Sequence, residues 1–436
     1  MKGLTLKRSA DWIPFLIVLA ISPLFLFPSR EKNWIFLVFF AMALILKVIK
    51  GKIFGPTPLD LAILMLLIQI LISSFVVSDI ELSLPKIAGA IFGILFFYFS
   101  LDVLKNESII KTGLIILLCG GALFSVLCLL GMIIIPAEIK YFKGLVDLHK
   151  SLPKINFHLP GAESGFDPNP VGGTLVLFMP LCFSFLYSYI KKKNGESLPG
   201  GKAVVYIILV PTILISSFVL LLTQSRGSWL ALISSLMLFL IIESRKRKGK
   251  MLVVLLIVAL CVMVGFYIQL IGYNNINSAK NELISKFYGR LQAWQVGMKI
   301  IQEHPLTGIG MNYVRMQEGI GYSRAHAHNH YIHTAAELGI PALIAYLAMT
   351  IISLVMCFHV ARITDSFWIK AAVRGLAMGQ VAYSIFGIGD SIPLGAKVGI
   401  FFWISLALIV ALFKLSLTRQ SLDERKSLLS FEMERK

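Results

Sequence analysis

Four of the eight histidines lie in one short stretch of the chain, between residues 326 and 333. They are His326, His328, His330 and His333. Imidazole changes its protonation state near neutral pH and is also a common zinc ligand. The stretch is therefore the first candidate for chemistry, either as a general base or as a metal site. A third interpretation is a His-rich turn that is hydrogen bonded to lipid headgroups.

Two local geometries fit the spacing of these histidines. If residues 326–337 formed one helix, four ligands of the kind that zinc prefers would share one face. They are His326, His330, His333 and Glu337. Asn329, however, is a good N-cap residue, and a helix that started there would leave His326 and His328 in the preceding turn. A histidine at such a helix entry, outside the bilayer, is well placed as a general base.

Two arginines are candidates for binding an anion. Arg226 follows Ser225 in a tight turn between two apolar runs, so it is predicted to lie at or just inside the membrane boundary. It could face the bundle as an anion site, with Ser225 and nearby amides as extra donors, or anchor a helix end at the headgroups. Arg290 falls in the helical pattern of 283–302 and could reach the same phosphate layer, or lie on the solvated face of an amphipathic helix.

The other candidate residues are predicted to have supporting roles. Asn169 precedes an apolar run and Asp390 follows one, which is typical of cap and turn residues. Asp390 is one of the few carboxylates on the predicted outer face. The candidate supporting residues are Ser225, Asn329, His326, His330, Tyr331, Asn169 and Asp390.

The elements that must position these residues are membrane helices. The chain has 436 residues, of which 57% are hydrophobic and 15% charged, and its mean hydropathy is +0.81. A soluble protein could not bury so much apolar surface, and long uninterrupted apolar runs favour helices over a barrel. We predict an all-α polytopic protein with about 12 spans. They are 12–28, 33–49, 58–77, 87–104, 109–135, 170–190, 203–222, 228–243, 251–271, 340–360, 371–388 and 397–414.

The net charge of +18 is explained by membrane orientation. Lys and Arg concentrate in alternate connections between spans, which predicts cytoplasmic termini and argues against a nucleic-acid partner. Two long segments, 136–169 and 272–339, then fall outside, and the second is long enough to be functional. Within it, 283–302 is predicted to be an amphipathic helix, ended by a Pro-Gly stretch.

The chain is thereby predicted to divide into six segments. They are the N-terminal spans 1–135, the outer loop 136–169, the spans 170–271 with the arginine hairpin, the large outer loop 272–339, the spans 340–414, and the cytoplasmic tail 415–436.

Several of these motifs, taken in order, resemble those of bacterial O-antigen ligases and polymerases. His328-Asn329, followed after nine residues by Gly339, resembles the His-Asn-x9-Gly-x-x-Gly pattern of the ligases, although Ala342 replaces the last glycine. Other stretches are also similar to motifs of that superfamily. They are Asp167-Pro168-Asn169, Ser225-Arg226-Gly227, Gly289-Arg290-Leu291 and the stretch 304–310.

The resemblance implies a GT-C type glycosyltransferase that needs no metal or cofactor. Its donor would be a glycan on undecaprenyl pyrophosphate, and its acceptor a hydroxyl of the lipid A core or another glycan. Arg226 and Arg290 would bind the diphosphate, and His328 would deprotonate the acceptor. The protein would lie among the lipids of the bacterial inner membrane, with its active site facing the periplasm.

Three alternatives remain open from the sequence. An O-antigen polymerase would use the same donor and a lipid-linked acceptor, and a protein O-oligosaccharyltransferase would use a protein acceptor. A secondary transporter, perhaps for a metal held by the histidines, is the more distant alternative. Transporters usually place ionisable groups near the bilayer midplane, whereas here the polar residues collect towards one face.

Overall fold

The computed structural model describes residues 54–132, 143–152, 166–191, 204–243, 276–317 and 326–434, with a few isolated positions before residue 54 and at 201. Within these residues no strand occurs, and seven helices are long and apolar enough to cross a membrane. The protein is therefore an all-α polytopic membrane protein, as predicted. The predicted spans 12–28 and 251–271 lie outside the described residues, as does 33–49 apart from a few isolated positions, so the total of 12 stays a prediction.

Eleven helices are named here in chain order within the described residues. The first six are α1 Asp60–Val76, α2 Ile80–Val103, α3 Glu107–Gly131, α4 Lys143–Ser151, α5 Pro168–Lys191 and α6 Val210–Leu222, which follows the π-helical turn Val204–Leu209. The other five are α7 Arg226–Glu243, α8 Ile276–Glu303, α9 His330–Ile363, α10 Phe367–Gly389 and α11 Ile400–Glu434.

Two helices begin earlier than the hydropathy pattern indicates, because polar side chains cap them. Helix α2 starts at Ile80, not 87, since Asp79 accepts hydrogen bonds from the amides of Glu81 and Leu82. Helix α9 starts at His330, not 340, because Asn329 caps it. The predicted helix 283–302 is confirmed and is longer, spanning Ile276–Glu303.

Helices α5 and α10 pack closely along the centre of the bundle. A β-carbon added at Gly379, as in an alanine variant, would lie 2.0 Å from the Leu177 carbonyl oxygen. One added at Gly375 would lie 2.6 Å from Leu181 Cα, so neither position has room for a side chain. Small residues spaced four apart allow such close approach between membrane helices. The Ser184 hydroxyl also donates to the Ala371 carbonyl at 2.7 Å. This packing fixes the end of α10 beside the start of α5.

The segment after α8, residues 304–313, docks onto the first two described helices and is called the docking loop below. The Met311 amide donates to Ser73 Oγ at 2.8 Å, and Ser83 Oγ donates to the Met311 carbonyl at 2.6 Å. The Asn312 side-chain amide donates to the Leu82 carbonyl at 2.8 Å. The loop thereby ties α8 to α1 and α2.

The docking loop also contacts the beginning of α9, where the helix is broken at Gly339 (φ 81°, ψ 165°). A Cβ at Gly339 would lie 2.4 Å from the Leu306 carbonyl oxygen, and one at Gly308 (φ +63°) would lie 2.4 Å from the Glu337 carbonyl carbon. Both positions need a backbone conformation and a proximity that only glycine accepts readily. Ala342, the departure from the family pattern, is fully buried in α9, so its methyl group fits there.

Candidate functional site

The histidine cluster forms around the N-cap of α9. Asn329 Oδ1 accepts hydrogen bonds from the amides of Tyr331 and Ile332, both at 3.0 Å. His328, just before the cap, has a left-handed backbone with φ 50°. The cap alternative is thus confirmed, and the alternative of one continuous helix over 326–337 is wrong. The zinc face that this helix would have produced does not form, because His326 lies outside the helix.

Asp390 is the partner of His328. The His328 Nδ1 lies 3.2 Å from Oδ1 of Asp390, which follows the last residue of α10. If Nδ1–H donates to the carboxylate, the neutral ring presents its lone pair on Nε2. The Trp294 indole N–H of α8 donates to the His328 carbonyl at 3.3 Å and holds the turn from the other side. The pair has the geometry of a base and the carboxylate that orients it.

The electrostatics of the turn favour the ionised form of Asp390 and the neutral form of His326, because the pKa of each is lowered. Burial tends to raise the pKa of the Asp390 carboxyl, but the His328 hydrogen bond and the charges of His326 and His328 lower it below its usual value. Burial lowers the pKa of His326 despite the opposing effect of Asp390, and His328 and Lys86 lower it further. Asp390 thus carries the negative charge that would stabilise a protonated His328.

The other two histidines point into the protein and not towards Asp390. His330 Nδ1 lies 3.3 Å from the Ser391 hydroxyl, and its ring is 4.6 Å from the Tyr346 ring. His333 is buried, with Nε2 3.4 Å from Glu337 Oε2. The neighbouring Tyr331 donates its hydroxyl to the Ser384 carbonyl at 2.8 Å. His330 and Tyr331 therefore attach the cluster to the end of α10, whereas His333 contacts Glu337 of its own helix.

Arg226 is the first residue of α7 and is half-buried. The turn before it is stabilised by Ser225, whose hydroxyl accepts a hydrogen bond from Ser228 at 2.9 Å. This turn packs on the start of α5, where a Cβ at Gly172 would lie 2.4 Å from Ser228 Oγ. Asn169 lies one turn earlier, half-buried at the start of α5. The amides at the start of α7 and the guanidinium together favour an anion.

Arg290 approaches the same region from α8. Its side chain is exposed, and a β-carbon added at Gly389 would lie 3.9 Å from the Arg290 Nη1. Gly389 adjoins Asp390, the partner of His328.

The end of α10 thus contacts all three predicted motifs. A Cβ at Gly227, next to Arg226, would lie 4.0 Å from Phe386, and one at Gly387 would lie 3.3 Å from His330 Cβ. Residues 386–391 are called the α10 end below. It brings the arginine turn, Arg290 and the histidine cluster together, which the sequence motifs suggest but do not show.

Three residues that act on the site are not among those predicted from the sequence. Ser391 and Trp294 contact the cluster from positions that are distant in the sequence, so no local pattern indicates these contacts. Lys86 lies two turns into α2, half-buried, and its charge acts on His326. A signal for Lys86 was present, because a lysine beside an apolar run is a candidate functional residue. The prediction began that span at residue 87 and so placed Lys86 outside it.

Comparison with known proteins supports the motif assignment. The family model described as O-antigen ligase matches residues 211–347, about a third of the chain. The match includes Arg226, Arg290 and the histidine cluster, and it ends before Asp390. No curated protein matches the chain significantly. Residues 211–347 are therefore similar to the O-antigen ligase family, in agreement with the motifs found in the sequence.

Proposed function

We propose that the protein is a GT-C type glycosyltransferase that moves a glycan from undecaprenyl pyrophosphate to an acceptor hydroxyl, with the lipid A core as the acceptor. The observation that carries the proposal is the contact of His328 with Asp390 at the α10 end, where Arg290 and the Arg226 turn also lie. The family match supports a ligase or polymerase type of enzyme. The site would face the periplasm, in an inner-membrane protein with both termini in the cytoplasm.

The reaction assigns one role to each group. The acceptor oxygen attacks C1 of the sugar while the bond between C1 and the diphosphate oxygen breaks, which inverts C1. His328 Nε2 takes the acceptor proton, and Asp390 stabilises the imidazolium that forms. The leaving group is undecaprenyl pyrophosphate, whose growing charge two guanidiniums can bind in a bidentate manner. No step needs a metal ion, so transfer is expected to persist after thorough chelation.

The test is transfer by purified protein in lipid nanodiscs, with lipid-linked donor and lipid A core acceptor. His328→Ala is expected to lower turnover by about 10²- to 10⁴-fold, the usual contribution of a general base. His359→Ala is the matched control, because His359 is an exposed histidine near the other end of the same helix. Turnover of His328→Ala at the wild-type rate would overturn the assignment of the base.

The acceptor is tested separately by the glycolipids of a deletion strain. Loss of a ligase leaves bare core and accumulates long lipid-linked glycan. Loss of a polymerase instead leaves core capped by single repeats, and loss of a protein O-oligosaccharyltransferase leaves the glycolipids intact and protein acceptors unmodified. Metal uptake into proteoliposomes without any transfer would favour the transporter.

A further inference from the structure

Two imidazoles and one carboxylate converge at the α9 cap. His328 Nδ1 and His326 Nε2 lie 3.2 Å and 3.7 Å from the same oxygen, Oδ1 of Asp390. One ligand atom from each residue can be chosen so that all lie within 4.8 Å of one another. Ligands around tetrahedral zinc, with bonds of about 2.0–2.2 Å, lie roughly 3.3–3.5 Å apart. Shifts of the order of 1 Å would therefore bring the three atoms to coordination distance.

The rest of the structure holds these ligands in place. The Ser391 amide donates to Asp390 Oδ1 at 2.8 Å, and the Asn329 side-chain amide donates to the Ile388 carbonyl at 3.1 Å. His326 packs edge-on against the His328 ring, with ring centroids 4.6 Å apart, and its buried Nδ1 forms no hydrogen bond with another described residue. Hydrogen bonds such as that from the Ser391 amide to Asp390 raise metal affinity because they orient the metal ligands.

The ligands remain accessible to an ion from solution. The His326 and His328 side chains are 15% and 19% exposed, whereas Asp390 is 4% exposed. A metal held by three protein ligands would keep a fourth position towards that opening. Two imidazoles and one carboxylate suit zinc and similar divalent transition metals better than magnesium or calcium, which prefer oxygen ligands.

We propose that His326, His328 and Asp390 bind a divalent transition metal of the zinc class, and that the bound ion inhibits the enzyme. The site differs from the one that the sequence suggested, because it excludes His330, His333 and Glu337. The inhibition rests on the proposed function, whereas the binding does not.

Inhibition follows from the tautomers of His328. A neutral imidazole has one proton, carried on Nδ1 or on Nε2. When a metal takes the lone pair of Nδ1, the proton must lie on Nε2, so Nε2 can no longer accept a proton from the acceptor hydroxyl. The ion also takes the Asp390 oxygen that would stabilise the imidazolium. Metal binding and general-base catalysis therefore exclude each other at this residue.

Metal binding is tested with Co²⁺ as a coloured substitute for Zn²⁺. Full-length, metal-free protein in nanodiscs is titrated with Co²⁺, and visible absorption reports the coordination. We expect one Co²⁺ per chain, displaced by Zn²⁺. His326→Gln and His326→Asn should weaken binding by at least about 10-fold. His304→Gln should not, because His304 is an exposed histidine of the docking loop.

The thermal stability of the same proteins shows whether each variant is folded. A ligand that binds only the native state raises the melting temperature. At a Zn²⁺ concentration that just saturates the wild type, the melting temperature should therefore rise less in either His326 variant than in the wild type and His304→Gln. Either His326 variant can be used to test the site, provided that it melts cooperatively without metal and is therefore folded. Lack of saturable Co²⁺ binding, or equal binding by a folded His326 variant, would overturn the site.

Inhibition is tested by transfer with and without Zn²⁺, each variant being compared with its own metal-free rate. Half-inhibition of a His326 variant should need at least about 10-fold more Zn²⁺ than that of the wild type. Stoichiometric Co²⁺ binding with unchanged transfer would overturn the inhibition. If the metal-free wild type transfers to no acceptor, the proposed function fails, whereas the Co²⁺ titration still decides the metal site.

Discussion

His328 and Asp390 are separated by 62 residues in the sequence, and their Nδ1 and Oδ1 atoms lie 3.2 Å apart. The histidine belongs to the cap of α9 and the carboxylate to the end of α10, so the contact depends on how these two helices pack. In the proposed reaction, Asp390 selects the tautomer of His328 and balances the charge that the ring acquires.

Replacing Asp390 with asparagine should therefore lower turnover with little change in fold. We expect a fall of about 10²- to 10⁴-fold in kcat, because the neutral amide can neither fix the tautomer nor stabilise the imidazolium. The measurement is transfer at saturating donor and acceptor. Asp147→Asn, which changes an exposed carboxylate of α4, is the control. Equal kcat in the two variants would contradict the role of Asp390.

The diphosphate contacts can be probed by replacing either arginine with lysine. Arg226→Lys and Arg290→Lys keep the charge but lose the planar, bidentate donor pair. We expect kcat/KM to fall by about 10- to 100-fold, as for a lost transition-state contact of roughly 1.4–2.7 kcal/mol. Arg425→Lys, on the exposed part of α11, should behave as the wild type. If neither site variant changes kcat/KM, the guanidiniums do not bind the leaving group.

The cap of α9 should be needed for stability as well as for the position of His328. Asn329→Ala removes the acceptor for two amides and the donor to the Ile388 carbonyl, whereas Asn329→Ser keeps a capping oxygen. We expect the free energy of unfolding to fall by about 1 kcal/mol more in the alanine variant than in the serine variant. Denaturant titration in mixed micelles measures the difference. Equal stabilities would show that the cap contributes nothing.

Glu337 is expected to act as a structural acceptor and not as a metal ligand. Its Oε1 accepts a hydrogen bond from the backbone N–H of Asn312 at 2.7 Å, which fixes the docking loop to α9. Glu337→Gln keeps an amide oxygen at that place and should retain transfer within a few-fold. Glu337→Ala removes this acceptor from the half-buried backbone N–H of Asn312 and should cost about 1–3 kcal/mol of stability. A folded but inactive glutamine variant would instead support a chemical role for the carboxylate.

Gly339 should tolerate no side chain. Gly339→Ala combines a left-handed φ of +81° with a Cβ that would lie 2.4 Å from the Leu306 carbonyl oxygen. We expect a loss of about 1–3 kcal/mol or more, seen as a lower melting temperature. Gly120→Ala is the matched control, since its Cβ would meet only a ring atom of Phe401 at 4.0 Å. Similar melting temperatures for the two variants would refute the constraint.

The sequence predicted the helical class and the local start of α9 better than it predicted the site. Hydropathy indicates spans because apolar length is a local property, and Asn329 indicates a cap because its partners lie two and three residues away. Asp390 was recognised only as a supporting turn residue. Its pairing with His328 is set by the packing of α10, which no local pattern encodes.

The misplaced zinc face has the same origin. Helical spacing puts His326, His330, His333 and Glu337 on one face only if the helix continues through Asn329, and the cap ends it there. Lys86 was missed because hydropathy alone set the start of its span. The capping carboxylate of Asp79 starts α2 at Ile80, seven residues before the predicted 87, and so places Lys86 inside the helix.

The docking loop has a consequence for what can be cut out of this chain. Its hydrogen bonds to Ser73, Leu82 and Ser83 join the family-matched segment to helices far upstream, while Asp390 lies downstream of that segment. A fragment limited to residues 211–347 would keep the recognisable motifs and lose the partners of both the loop and the base. Two separately expressed fragments that together contain the whole chain would still include Ser73, Leu82, Ser83 and Asp390. Motif content alone is thus a poor guide to which truncated relatives can still fold and react.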